Sequence, residues 1–411
     1  MTRSVHRVAP ATDTPVRQES LRAHNLDLIF RQIVGRRAPI SRSELAAATG
    51  LTRPTISRIV EELLAGGLIV EAGPARSGTS GRPRVGLNLA PTGPAGLGLD
   101  IRVDTLTACV VDLTGAVRHL AFAPRAEAGA GSEEILSSLA AMAGEAIGAA
   151  AAENLTVVGA TLAVPGPVQD GVVRFAPALG WRDVDARAAL QARIARPGLP
   201  VLVGNDANLA ALGELYASAP ELRDFVCVSG EFDIGAGIVL SGTPLRGSRG
   251  WSGGLGHVMV DSDGPPCACG ATGCLQCYAG LQEILAAVPA SGLPPHQSPA
   301  VAIDALVAAG SPAILTALER AGTALGTALS ALVNIVDVDT VLLSGSYSLL
   351  ASWLTEGIER ELRRRVLTAG WAPVEVRPAP LGPDAAVIGA ALSAIDAVRR
   401  DPNSWIARAP G

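Results

Sequence analysis

The 411-residue sequence contains no lysine; its 33 basic residues are all arginine. That excludes Schiff-base lysine chemistry and a phosphate loop of the G-x-x-x-x-G-K-[ST] type. Charged residues make up only 17% and aromatic residues only 3%, against 48% hydrophobic. So little charge argues against wholesale disorder, and the length suits two to three domains at roughly 150 residues each. Long apolar runs are scarce too. The Ala-rich stretches carry Glu or Arg, or are broken by Gly and Pro, so no membrane-spanning segment is expected. The first thirty residues hold Arg3, Arg7, Asp13, Arg17, Glu19, Arg22 and Asp27 and no apolar core, so no secretory signal is expected. A cytoplasmic protein without a membrane partner is the expectation. In that compartment the six cysteines do not read as a disulfide framework. Cys109 and Cys227, in strand-like apolar runs, are expected to be small buried hydrophobes.

What charge there is lies unevenly. Residues 1–90 hold 13 Arg against 7 acidic residues, a net +6, while the remainder carries −11. A basic head on an acidic body points to nucleic-acid binding by the head alone.

Residues 1–20 are polar and contain Pro, and are expected to be a mobile leader to a head over 21–90. Leu26, Ile29, Phe30 and Ile33 recur at helical spacing and stop at Gly35. Ser41 with Glu44 forms a capping-box pattern for a short helix ending at Thr49. After Gly50, Thr52 caps a third helix with Pro54 in its first turn, where a missing N–H costs nothing. Its buried stripe is Ile56, Ile59, Val60, Leu63 and Leu64; Arg53, Thr55, Ser57 and Arg58 face outward. Helix, Gly-containing turn, helix is the helix-turn-helix arrangement, whose second helix enters the major groove. Arg53 and Arg58 suit guanine or phosphate, and Thr55 and Ser57 are short enough for close approach. An ordinary surface helix is the plain alternative. Leu68–Glu71 and Val85–Leu89 read as two strands around a Gly- and Arg-rich loop containing Arg82 and Arg84. That is a wing, whose extended Gly81-Arg82-Pro83 suits a narrow minor groove. A loop without fixed structure is the alternative.

Pro91–Pro94 marks a boundary. Beyond it the alternation of strands and helices predicts a mixed α/β body in two lobes, 95–220 and 221–400. Strand-turn-strand openings at Leu97 and Val226 hint at a distant duplication. His257, Cys267, Cys269 and Cys274 follow the spacing His-x9-Cys-x-Cys-x4-Cys. Three thiolates and an imidazole complete a tetrahedral Zn2+ site with no open position, so the zinc is expected to be structural. Gly264, Gly270 and Gly273 would let the loop bend, and Cys277 is expected to face inward from a helix.

Over about residues 20–400 the chain resembles the ROK family (repressors, open reading frames and sugar kinases). The stretch from Gly256-His257 to Cys267-Ala268-Cys269-Gly270-Ala271-Thr272-Gly273-Cys274-Leu275 matches the family motif G-H…C-x-C-G-x-x-G-C-L. Asn205-Asp206-Ala207-Asn208 with Gly213-Glu214 matches N-D-A-N…G-E, and Arg246-Gly247 with Gly253-Gly254 resembles the loop before the G-H. The winged helix in front marks the repressor branch. The resemblance implies an actin-like body of the ribonuclease-H type with a sugar in the interlobe cleft. It implies ligand-binding roles for Asn205, Asp206, His257 and Gln276, with Asp206 at the position of the kinase base.

The sequence departs from the kinases at both phosphate turns. Arg102, Val103 and Asp104 stand where Gly would admit phosphate to backbone N–H groups, and the second turn adds Glu231 and Asp233. Two sugar-binding carboxylates of the family are Gly254 and Gln276 here. The expected function is a DNA-binding regulator, a repressor of carbohydrate genes, working as a homodimer or homotetramer on operator DNA and answering to a sugar or sugar derivative. The alternatives are an ATP-dependent sugar kinase with a DNA-binding head, or a regulator governed by a protein partner with a vestigial cleft.

Overall fold

The computed structural model describes residues 18–36, 38–72, 85–125, 131–218, 220–231, 233–289 and 298–408. The chain divides into two units, residues 1–89 with 398–411, and residues 90–397.

The first unit opens with α1 (Gln18–Val34), which buries Leu26, Ile29, Phe30 and Ile33. β1 (Ile40–Ser41) runs into α2 (Arg42–Thr49). The Ser41 hydroxyl accepts from the Glu44 N–H, and the Glu44 carboxylate accepts from the Ser41 N–H at 2.8 Å. This reciprocal pairing satisfies two of the donors that a helix start leaves open. α3 (Arg53–Ala65) starts behind Thr52, whose hydroxyl accepts from the Thr55 N–H. Ile56, Ile59, Val60 and Leu63 are buried, whereas Leu64 is only half-buried. β2 (Ile69–Ala72) and β3 (Gly86–Leu89) pair antiparallel, and β1 adds to the other side of β3. The wing is therefore a three-stranded sheet. The third strand has two residues, too few to show an alternating pattern.

In the second unit β4 (Gly93–Ile101), β5 (Thr105–Asp112) and β6 (Val117–Pro124) form an antiparallel meander. α4 (Ser132–Ala152) returns to β7 (Leu155–Val164), parallel to β4. β8 (Val168–Gln169), β9 (Val172–Ala176) and β10 (Trp181–Asp185) make a small separate sheet. α5 (Ala186–Arg193) leads to β11 (Val201–Asn205), parallel to β7, and α6 (Asp206–Ser218) follows. The second lobe repeats the plan. β12 (Phe225–Gly230), β13 (Ile234–Leu240) and β14 (Thr243–Pro244) form a meander. Short α7 (Gln276–Ala279) and α8 (Leu281–Leu285) precede α9 (Pro299–Ala308) and α10 (Pro312–Val336). β15 (Thr340–Ser344), α11 (Ser346–Leu349), α12 (Ala351–Arg365) and β16 (Glu375–Pro378) complete it, and α13 (Ala385–Arg400) returns to pack on β4 and β5 of the first lobe. The sheet orders are β11-β7-β4-β5-β6 and β14-β13-β12-β15-β16. In each, the first strand is central, with its meander on one side and two parallel strands on the other. This shared topology is the duplication that the two openings hinted at, and it is the two-lobed, actin-like ribonuclease-H-type fold.

Glycines allow the long helices to lie close in this unit. A Cβ on Gly98 of β4 would meet the Val387 carbonyl of α13, and one on Gly389 of α13 would meet the Leu209 carbonyl of α6. α14 (Pro402–Ile406) then belongs to the first unit with the chain's start. The division falls at Leu89/Ala90, and Gly93-Pro94 opens β4 instead of forming a linker. The C-terminal residues from Val398 belong with the head, not with the second lobe. Among the described residues one helix, α4, is long and apolar enough to cross a membrane, which the sequence reading did not anticipate. It lays Ile135, Leu136, Leu139 and Ala143 into the core of the first lobe and carries Glu133, Glu134 and Glu145. Cys109 and Cys227 are buried as expected.

Candidate functional site

The start of α3 presents Arg53 and Arg58 to solvent. Arg53 makes no ion pair among the described residues, and Arg58 reaches Glu62 only at 4.0 Å, where Arg22 already donates at 2.7 Å. Both guanidiniums are thus available. Thr55 and Ser57 are half-buried, and the Thr55 hydroxyl is engaged with that of Thr52 at 2.9 Å. Thr55 therefore supports the helix cap. Arg82 and Arg84 lie outside the described residues.

In the body, a cavity of about 300 Å3 opens between the lobes. It is lined by the Pro165–Pro167 turn after β7, by Asn205, Asp206 and Asn208, by the start of β13 at Asp233, and by Gly250–Gly254 with His257. The Asn205 amide donates to the Gly166 carbonyl at 3.2 Å and to Asp206 Oδ1 at 3.0 Å, while its oxygen accepts from the Asn208 N–H at 3.1 Å. The Ala207 N–H also donates to Asp206 Oδ1 at 2.8 Å, which leaves Oδ2 for a ligand. Burial pushes the Asp206 carboxyl up to about 8, and the like charges of Asp100, Asp233 and Glu231 add to that. Burial likewise raises Asp233, and His257 partly offsets it. Trp251, Ser252 and Asp233 join this lining without having been singled out as ligand residues. Asp233 had been assigned to the altered phosphate turn, and only the folded β13 start shows it facing the cavity. Gln276 is the reverse case. It is not among the lining residues, and its side-chain oxygen accepts from the Ile234 N–H at 2.8 Å, anchoring β13. At Gly254 a side chain would meet open space, so the carboxylate missing there leaves room.

The other end of the cleft holds the altered phosphate turns. Buried Arg102 donates to Asp100 at 3.1 Å and to Asp384 at 2.8 Å. The Glu231 carboxylate accepts from both the N–H and the hydroxyl of Ser346, each at 2.9 Å. Burial pushes Glu231 up to about 7. The donors that could face an anion here already hold the protein's own carboxylates.

The thiol and imidazole groups of His257, Cys267, Cys269 and Cys274 converge, with all four ligand atoms within 4.8 Å of one another. His257 Nδ1 is 3.8 Å from Cys267 Sγ, and Cys269 Sγ is 3.7 Å from Cys274 Sγ. The set could hold a metal ion. Gly270 and Gly273 turn the loop at φ 95° and 67°. Gly264 instead passes close to Tyr278 and Gly273. Cys277 is half-exposed and faces the Pro266 carbonyl, outside the four. His257 thus belongs both to the cluster and to the cavity wall.

A winged helix-turn-helix and a two-lobed actin-like body with a polar interlobe cavity define a transcriptional regulator built on a sugar-kinase scaffold. The chain belongs to the ROK family, whose model matches residues 96–397, and the MarR family model matches residues 32–82. It is 28% identical over 380 residues to the xylose repressor of Bacillus subtilis strain 168, covering 90% of this chain and 95% of that protein. A ROK family transcriptional regulator described as a homolog of the E. coli MLC protein superimposes with a TM-score of 0.76 at 27% identity, covering 94% of this chain and 99% of the other. A ROK glucokinase from Streptomyces griseus, solved with glucose and AMPPNP, gives a TM-score of 0.62 at 26% identity over 73% of this chain and 98% of its own.

Proposed function

We propose that this protein is a cytoplasmic, non-enzymatic transcriptional repressor of sugar-metabolism genes that releases or remodels its operator complex when a sugar-type effector enters the interlobe cavity. The observation that carries the reading is the asymmetry of the cleft. Its polyol half keeps Asn205, Asp206, Asn208 and His257 around a cavity, while its phosphate half is filled by Arg102, Asp100, Asp384 and Glu231. Such a cleft suits sensing and opposes phosphoryl transfer, which needs donors left open for the transferring group.

Arg53 and Arg58 would read base edges or phosphates in the major groove, with Ser57 close by and Thr55 holding the cap; Arg82 and Arg84 would enter the minor groove. A homodimer or homotetramer would present two such helices to a pseudo-palindrome. Asn205, the free Asp206 oxygen and the outward face of His257 would take sugar hydroxyls, with Gln276 acting from behind through β13. The cysteine cluster would hold zinc. At Zn–S distances of about 2.3 Å, a tetrahedral site puts sulfurs about 3.8 Å apart, which supports zinc at the observed 3.7 Å. Bound zinc would supply folding energy to the loop, and would leave the cavity chemistry to the side chains.

The test is a mobility-shift titration on the upstream intergenic DNA with and without a sugar panel, beside an ATP-consumption assay on the same sugars. A band released by one sugar, with no ATP consumed, is expected. Sugar-dependent ATP turnover would instead establish the kinase alternative, and a band that no sugar disturbs would favour control by a protein partner.

A further inference from the structure

The thiol cluster holds one sulfur more than a tetrahedral ion needs. His257, Cys267, Cys269 and Cys274 already supply a full set of ligand atoms. Cys277, on α7, is a further free cysteine beside them, half-exposed and outside that set. Its thiol donates to the Pro266 carbonyl at 3.8 Å and has the Cys267 sulfur within hydrogen-bond reach. Cys269 and Cys274 face each other at 3.7 Å. The cluster's cysteines therefore stand as two neighbouring pairs, Cys267 with Cys277 and Cys269 with Cys274.

Three ligand thiols alone would leave an odd sulfur on oxidation. A sulfenic acid with no partner thiol goes on to irreversible products, whereas one with a neighbour closes to a disulfide. Cys277 removes the odd member. Cys269 is exposed, so a dissolved oxidant meets the cluster there, while Cys267 and Cys274 are buried. One side of the cluster can move and the other is fixed. Gly270 and Gly273 turn the loop that carries Cys267, Cys269 and Cys274. Gln276, next to Cys277, is tied to the Ile234 N–H at 2.8 Å. Cys277 is thus an anchor toward which Cys267 can close. The remaining cysteines, Cys109 in β5 and Cys227 in β12, are fully buried elsewhere.

We propose that Cys277 is a resolving thiol, which makes the cluster a reversible site of oxidation by peroxide: Cys267 pairs with Cys277, Cys269 pairs with Cys274, and His257 is released in the cavity wall. The proposal rests on the zinc reading above and adds a fate for its ligands. In each closure one sulfur takes an oxygen from hydrogen peroxide as sulfenic acid, and the other oxygen leaves as water. The partner sulfur then attacks, forms the S–S bond and expels the second water. For the whole cluster, three thiolates, one thiol, two peroxides and three protons give two disulfides and four waters. The pairing takes every sulfur ligand from a bound zinc ion. His257 Nδ1 lies 3.8 Å from Cys267 Sγ, so the imidazole loses the neighbour that fixes it, and a wall of the cavity loosens with it. In a compartment that keeps thiols reduced, disulfides of this kind are transient and serve sensing.

The test treats the full-length protein, purified reduced and with zinc, with hydrogen peroxide. Released zinc is followed with a chromophoric chelator, and disulfides are mapped by peptide mass spectrometry. Zinc release together with both disulfides is expected, with Cys109 and Cys227 unmodified, and dithiothreitol plus zinc should restore the metal content. Cys277→Ser should be isolated with as much zinc and the same melting temperature as the parent. After the same cycle it should recover about half of its zinc or less, with Cys267 carried on to the sulfinic acid. The proposal is overturned if Cys277 stays reduced while zinc is lost, or if Cys277→Ser recovers as fully as the parent. A variant isolated with less zinc overturns it too, since Cys277 would then be a ligand. A parent protein that takes up no zinc removes the zinc reading, and the disulfide map still decides the pairing.

Discussion

Arg53 and Arg58 differ from Thr55 in what their loss should do. Each arginine is exposed and has no strong protein partner, so Arg53→Ala or Arg58→Ala should leave the melting temperature unchanged while weakening operator binding by about 1–3 kcal/mol for a base contact. Thr52→Ala removes the hydroxyl that caps α3 and should destabilise the head by about 1 kcal/mol, seen in thermal melts before any DNA is added. Asp206 gives a pH-dependent test. Its carboxyl is raised in the folded protein from the usual 3.8 to about 8. Between those values the folded state holds a proton that the unfolded chain has released, so unfolding is favoured as pH rises through the window. Asp206→Asn removes the ionisable group. It should raise the melting temperature at pH 8 by roughly 2 °C or more and by less at pH 5, near the lower edge of the window, in parallel melts of the ligand-free protein. An equal effect at both pH values would show that charge burial is not the cause.

At the scale of elements, what could be read in advance was what punctuation or strong periodicity marks. Ser41 with Glu44, and Thr52 with Pro54, announce two helix starts through hydrogen bonds that those side chains make locally. β5 and β15 are buried along nearly their whole length, so each lies within an apolar run. α11 has four residues, too few to show a helical period. α9 is apolar almost all round and shows no face, and β8 to β10 are short and half-exposed, so neither period is visible. At the site, the cysteine spacing was legible because the His257, Cys267, Cys269 and Cys274 cluster is local in sequence. The turning of Asp233 into the cavity and of Gln276 onto Ile234 was not, because both depend on how β13 is seated. The cage itself makes a prediction. Apart from the cluster residues, the 257–277 loop is held by isolated bridges at Met259–Cys274 and Pro266–Thr272 and by the Tyr278 hydroxyl, which donates to Asp261 at 2.8 Å. A chelator should therefore release this loop first, raising its amide exchange while the sheet of the first lobe stays protected. Exchange that rises equally in both would mean that a metal bound here supports both lobes and not the loop alone.

For the molecule as a whole, the chain's two ends build one unit. The Trp405 indole N–H donates to the Gly66 carbonyl at 2.9 Å, just where α3 ends, and Ile406 occupies the space that a side chain at Gly66 would need. Asp401 caps α14 by accepting from the Ser404 N–H at 3.1 Å, and α14 packs on α1. The head is thus joined to the body by two stretches of chain. A ligand can act on DNA only through a difference in its affinity for two states of the body. Two consequences can be measured. Residues 1–89 alone should melt lower than the same residues tethered to 398–411, because the C-terminal helix is part of the fold. In the full-length protein, Trp405→Ala removes a hydrogen bond and a half-buried indole, and should destabilise the head by about 2 kcal/mol. Operator affinity should fall with it, while calorimetry of the cleft with its sugar ligand should be unchanged. If the two versions of the head melt together, the C-terminal helix is only lodged against it.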